Sequence, residues 1–236
     1  MRRMMFALSA AVVVAPSAGA AQDGFEGVVA YEMTAQGMTL EVTHYVRGGR
    51  VRQEMAGPMG PMAMIIDLGE QTMTVLVPQQ SAYMTLDMRE ALAAEVQTEA
   101  EQDTAPPEVE ITATGQIETI AGIECEHFAL RTGESEVDIC GAKGMGFYMA
   151  GGVSALGGPA SAGHALSRSD AVNARLRAHF KDGLFPLKMT MQTSSGALTM
   201  VATSVEKKQL GDDLFSVPAG FTEMKMPGSG GFRAPD

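Results

Sequence analysis

The 236-residue chain has no tryptophan, two cysteines and few aromatics (6%). Without tryptophan the interior must be filled by smaller or more adaptable side chains, and the 19 methionines are the evident substitute. Positive charge is also scarce: 17 Lys and Arg stand against 28 Asp and Glu. A chain this acidic is repelled by nucleic acid and by anionic lipid head groups, so neither is expected as a partner. Beyond the first 20 residues no apolar run is long enough to span a bilayer, and no stable membrane insertion is expected. Catalytic signals are thin as well. The four histidines (44, 127, 164 and 179) are scattered, and no serine sits in a nucleophile-elbow context. Ser, His and Asp lie close together in "SAGHALSRSD", but closeness in a glycine-rich stretch is not a preorganised triad. The sequence therefore points away from an enzyme, and it implies no cofactor.

The N-terminus "MRRMMFALSAAVVVAPSAGAAQDG" has paired arginines, a short apolar run, a proline and then small residues. This is the layout of a secretory signal peptide over residues 1–21, cleaved near Ala20 or Ala21. A periplasmic location, a monomer and a single domain over residues 22–226 are the expectations, with a disordered tail at 227–236.

From Phe25 to Met88 short alternating segments are separated by turn signals. "FEGVVAYEM" places Val29, Tyr31 and Met33 on one face. "MTLEVTHYVRGGRVRQEM" reads as a hairpin turning at Gly48-Gly49, which sets Val46 opposite Val51, His44 opposite Gln53 and Val42 opposite Met55. "AMIIDLGEQTMTVLVPQQSAYMTLDM" adds three strands, with Met73 and Val75 among the alternating positions. "REALAAEVQTEAEQ" (89–102) and "SDAVNARLRAHF" (169–180) have helical composition. Residues 141–168 are dense in Gly, Ala and Ser and read as a mobile insertion. Late strands in "LFPLKMTMQTSSGALTMVATSVEKK" carry Met189, Met191 and Met200 on one face, with Met200 opposite Met191 if the turn spans "SSGA". The predicted class is mainly β (α+β): a strongly curved antiparallel sheet, an open half-barrel with helices over its concave face.

The cysteines lie in "IECEHFALRTGESEVDIC". A two-residue turn at Thr132-Gly133 pairs Cys125 with Cys140 and His127 with Asp138, which permits either a disulfide or a Cys/His/Asp/Cys metal cluster. An exported chain with one even pair favours the Cys125–Cys140 disulfide. A second metal candidate is the Gly/Pro-rich segment "EMAGPMGPMAMIID", read as a solvated loop presenting Met55, Met59, Met62 and Met64, whose thioethers suit Cu(I).

The segments "FEGVVAYEM", "VRGGRVRQEM", "IAGIECEHF", "FPLKMTM" and the closing Leu214-Phe215-x-x-Pro218-x-Gly220-Phe221 pattern together resemble an exported bacterial family catalogued as domain of unknown function 4412. That family is similar in pattern to the lipoprotein carriers LolA and LolB. The resemblance implies an open half-barrel closed by helices over an apolar cavity. On that reading the chain is a carrier of an apolar small molecule, a lipid or a lipoprotein's acyl chains, and its inward-facing wall is Val29, Tyr31, Met33, Val42, His44, Met55, Met73, Val75, Met189, Met191 and Met200. A copper-binding protein and a structural envelope protein without a ligand are the alternatives.

Overall fold

A computed structural model describes residues 24–57, 60–89, 109–132, 135–147, 178–180, 183–193 and 196–224. The expected signal peptide, residues 148–177 of the Gly/Ala-rich insertion and the helix after it, and the tail lie outside the described residues, as do Met59 and His164. So does most of both expected helices: of their described residues, Arg89 and Ala178–His179 show α-helical backbone, and a helical cover over the sheet is not shown.

The chain builds one large unclosed sheet. A six-strand meander comes first: β1 (Glu26–Ala35), β2 (Met38–Arg47), β3 (Arg50–Gly57), β4 (Gly60–Asp67), β5 (Thr72–Val77) and β6 (Ala82–Asp87). Then follow β7 (Val109–Ile120), β8 (Ile123–Thr132), β9 (Ser135–Ala142), β10 (Gly146–Phe147), β11 (Gly183–Thr193), β12 (Gly196–Lys207) and β13 (Thr222–Glu223). Their order in space is β13-β6-β5-β4-β3-β2-β1-β12-β11-β9-β8-β7, with β10 attached to β11. Neighbours are antiparallel except β13 with β6 and β10 with β11. The central seam joins β1 to β12, with Met33 opposite Met200 and Tyr31 opposite Ala202.

The sheet is far from flat. β7 comes within 8 Å of β12, although β11, β9 and β8 stand between them. Flat strands four places apart would lie roughly 19 Å from each other. Bulges between Ala113 and Ile117, between Pro186 and Lys188, and between Ala30 and Tyr31 supply local bends. Pro186 sits at one of these bulges, where its missing N–H costs no ladder bond.

The Gly48-Gly49 hairpin forms in the expected register, Val46 opposite Val51, His44 opposite Gln53 and Val42 opposite Met55, with Gly48 in the left-handed region at φ 58°. Three expectations are corrected. The cysteine hairpin turns at residues 133–134, so His127 lies opposite Cys140 and Asp138 opposite Ala129. The late hairpin turns at residues 194–195, which sets Met200 opposite Met189 and leaves Met191 opposite Leu198. Both slips are of two positions, which preserves the face of every side chain and so leaves the hydrophobic pattern satisfied. Third, the methionine segment is not a solvated loop. β3 and β4 run to Gly57 and from Gly60, which places Met62 opposite Met55 inside the sheet. Pro61 is tolerated there as the second residue of its strand.

Both faces of the sheet are covered in part. One, the methionine face, carries the main core around Val29, Tyr31, Ile139, Leu187, Met189 and Met200. On the back face the C-terminal arm, residues 208–224, crosses β3 to β6. It presses Leu210, Phe215, Val217 and Phe221 onto Ala63, Ile65, Leu76 and Tyr83. Arg47 donates to the Leu210 carbonyl and, with Arg50, to Asp212, while Arg52 donates to the Leu214 carbonyl. The guanidinium groups of Arg47 and Arg50 also lie over the Phe215 ring, 5.4 and 5.2 Å from its centre.

Candidate functional site

Alternation along the meander divides its side chains by chemistry. Odd positions of β1 and β3, and even positions of β2, β4 and β6, share the methionine face with the odd positions of β5. The charged side chains of β1 to β6 (Glu26, Glu32, Glu41, Arg47, Arg50, Arg52, Glu54, Asp67 and Asp87) all fall on the other face. The methionine face of the meander therefore holds no ionisable carboxylate, Lys or Arg. Its buried polar groups are the Tyr31 hydroxyl, His44 and Gln53.

His44 adjoins each of the other two. The Tyr31 hydroxyl donates to the Pro186 carbonyl on β11 at 2.9 Å, and its ring centre lies 4.9 Å from that of His44. His44 is 0% exposed, and burial pushes its pKa from 6.5 down to about 3. The ring is therefore neutral at ordinary pH and contributes a dipole rather than a charge. Gln53, directly across from His44, is 1% exposed, and neither its amide oxygen nor its amide nitrogen has a hydrogen-bond partner among the described residues.

Of the expected wall residues, Val29, Tyr31, Val42, His44, Met189, Met191 and Met200 are fully buried. Met33, Met55, Met73 and Val75 are half-buried. Met62, Met64 and Met84, also on this face, are half-buried too. The face thus has two textures: closed packing from β1 across β12, β11 and β9, and toward β6 half-buried methionines set beside the buried Val51, Gln53 and Ile66. Of the residues in the copper alternative, Met55, Met62 and Met64 come together, the first two as cross-strand partners. Gln53 was visible in the sequence only as the partner of His44. Alternation put it on the same side as Val51 and Met55, but it was not counted among the wall residues.

The cysteine cluster occupies the other face of β8 and β9. Cys125 and Cys140 form a disulfide with Cα atoms 5.3 Å apart. Beside it, His127 stands between two carboxylates: Nδ1 is 2.8 Å from Asp138 Oδ1 and Nε2 is 3.0 Å from Glu118 Oε2. Lys188 Nζ donates to the same Glu118 oxygen at 3.0 Å. The Lys188 hydrogen bond, with help from His127, holds the Glu118 carboxyl below its usual range against the opposing effect of burial. Ligand atoms of Glu118, His127 and Cys140 lie within 4.8 Å of one another. With both sulfurs joined, however, the thiolates that a Cys/His metal site needs are consumed. The cluster ties β7, β8, β9 and β11 together by a covalent bond, the Lys188–Glu118 ion pair and the hydrogen bonds of His127. His179 is elsewhere again, with its ring edge-on to Phe180 and Phe128.

A family model described as "Domain of unknown function (DUF4412)" matches residues 25–221. The chain belongs to that family. No curated protein matches it. Among solved structures, PNGF-II is similar at 14% identity and TM-score 0.43, over 83% of this chain and 30% of that one. An uncharacterized conserved protein from Thermus thermophilus is similar at 9% identity and TM-score 0.47, over 84% of this chain and 88% of that one. MucB, solved in complex with MucA(peri), is similar at 11% identity and TM-score 0.38, over 84% of this chain and 56% of that one. This DUF4412 chain thus spans under a third of the PNGF-II chain and just over half of the MucB chain.

Proposed function

We propose that this DUF4412 protein is a non-enzymatic periplasmic binding protein that carries an apolar ligand, an acyl chain or the lipidated end of a partner, against the methionine face. The observation that supports this most is the segregation of charge. Every charged side chain of the β1–β6 strands points to the back face, while the methionine face keeps Met55, Met62, Met64, Met73 and Met84 half-buried. An apolar surface that is left partly accessible, and built from unbranched thioethers rather than Leu or Ile, suits a ligand whose shape varies. A packing interface that served only the fold would favour side chains with fewer rotamers.

The test is native mass spectrometry of protein purified from its own compartment, followed by titration of the delipidated protein with an apolar fluorescent dye. A co-purifying lipid mass and saturable, lipid-displaced dye binding are expected. Absence of both ends the reading. A second reading, Cu(I) binding, draws on the adjacency of Met55, Met62 and Met64, three soft ligands on neighbouring positions. Added copper mass in the same spectrum, lost when Met55 and Met62 are changed to leucine, would put it first.

A further inference from the structure

The buried amide of Gln53 is the feature that the fold leaves unaccounted for. A side-chain amide has two donor hydrogens and a carbonyl acceptor, and burying it without partners is destabilising. Here it is 1% exposed, its oxygen and nitrogen have no partner among the described residues, and it projects from the same face as Met55, with Met64 opposite it on β4. An apolar residue of similar length would pack at this position without that cost. The surroundings narrow what could repay it. No carboxylate, Lys or Arg of β1 to β6 shares the face, because Arg47, Arg50 and Arg52 are turned away to hold the C-terminal arm. His44 opposite is a neutral ring. A ligand bearing a carboxylate would have to lose its hydration with no counter-charge, whereas a neutral group offering both a carbonyl and an N–H would complement the amide on both sides.

We infer that the ligand of the methionine face is a neutral acyl amide, with its chain along the half-buried methionines and its amide paired to Gln53. This rests on the apolar-ligand reading and specifies the head group that reading leaves open. The natural source is a small acyl amide, with the amide at the end of an alkyl chain.

The experiment uses delipidated full-length protein, an apolar fluorescent dye as reporter, and tetradecanamide, tetradecanoate and tetradecane as competitors at pH 8, for the parent and for Gln53→Met. In the parent, tetradecanamide is expected to compete at a concentration at least about tenfold below that of tetradecanoate. Gln53→Met should weaken the amide about tenfold while tetradecane continues to compete. The ligand-free Gln53→Met protein should also melt at a higher temperature than the parent, because an uncompensated polar group has been removed. Equal competition by amide and carboxylate, an amide affinity indifferent to Gln53→Met, or a lowered melting temperature would each overturn the inference while hydrocarbon binding still upheld the apolar-ligand reading. Failure of all three competitors, tetradecane included, would remove both.

Discussion

Two parts of the methionine face use the same residue to different ends. Around the seam of β1, β12 and β11, Met189, Met191 and Met200 are closed off from solvent. They lie within a core that includes the Phe25–Phe185 and Phe128–Phe180 ring contacts, 5.1 and 4.7 Å between centres. Toward β6, Met55, Met64 and Met73 are only half-buried, and no phenylalanine lies on the sheet beside them. The residue type is the same, so the difference comes from what surrounds it. In the closed half methionine acts as filler between rings. In the open half it packs against the same core with part of its surface accessible, which is why the proposed ligand is assigned to it.

The comparison is broken most severely by charge. Met189→Glu buries an unpaired carboxylate in the closed half and is expected to cost more than about 4 kcal/mol, seen as loss of a cooperative thermal transition. Met55→Glu, in the open half, should cost only about 1 kcal/mol and instead abolish apolar dye binding. If the two variants unfold equally, the two textures are one core.

Acid tests the boundary between the halves, where His44 sits. Its folded pKa of about 3 lies below the unfolded value near 6.5, so the unfolded chain takes up the proton first. The stability that this group contributes is complete above pH 6.5 and is lost as pH falls from 6.5 toward 3, with an upper bound of about 5 kcal/mol. Denaturant midpoints measured across that window should fall more steeply for the parent than for His44→Gln. Parallel curves would show that the ring is reached by solvent.

The disulfide lies behind the closed half, on the opposite face of β8 and β9. Replacing Cys125 and Cys140 with alanine should lower stability by about 3 kcal/mol, given the 15-residue separation. Dye binding by the still-folded protein should be unchanged. The smallest effect is expected from Met191→Leu, a near volume-conserving change costing under about 1.5 kcal/mol by thermal unfolding. A larger loss would mean that the closed half needs methionine's shape and not only its size.

Much of the fold was legible because alternation and glycine turns are local signals. The Gly48-Gly49 turn fixed its hairpin to the residue. The Thr132-Gly133 and "SSGA" turns did not, because a two-position slip keeps Cys125 beside Cys140 and keeps Met200 on the methionine face, so nothing in the pattern penalises it. The Gly/Pro segment misled for a different reason. Two prolines suggested a loop, yet Pro61 needs only to avoid a ladder bond at the strand's beginning. The C-terminal arm was visible as a motif but not as a cover. The signal for it was the run Ala63-Met64-Ile65-Ile66, which breaks alternation because both faces of β4 are buried. The unpartnered state of Gln53 was out of reach, since it depends on which groups fail to arrive near it rather than on which residues neighbour it in the chain.

The pairing of β1 with β12 also sets a timetable. Strands β1 to β6 join neighbours across short turns and can zip together as soon as they are made, but Tyr31 meets Ala202 only after some 170 intervening residues have been supplied. Closing so long a loop precedes any reward from the seam, which slows the search and leaves the β1 edge open meanwhile. The arm arrives later still, since Thr222 pairs with Ala82. An emerging chain would therefore hold a ready-made meander with a bare edge and a bare apolar flank until β12 and the arm arrive, the condition under which a helper that shields extended chains contributes most to yield.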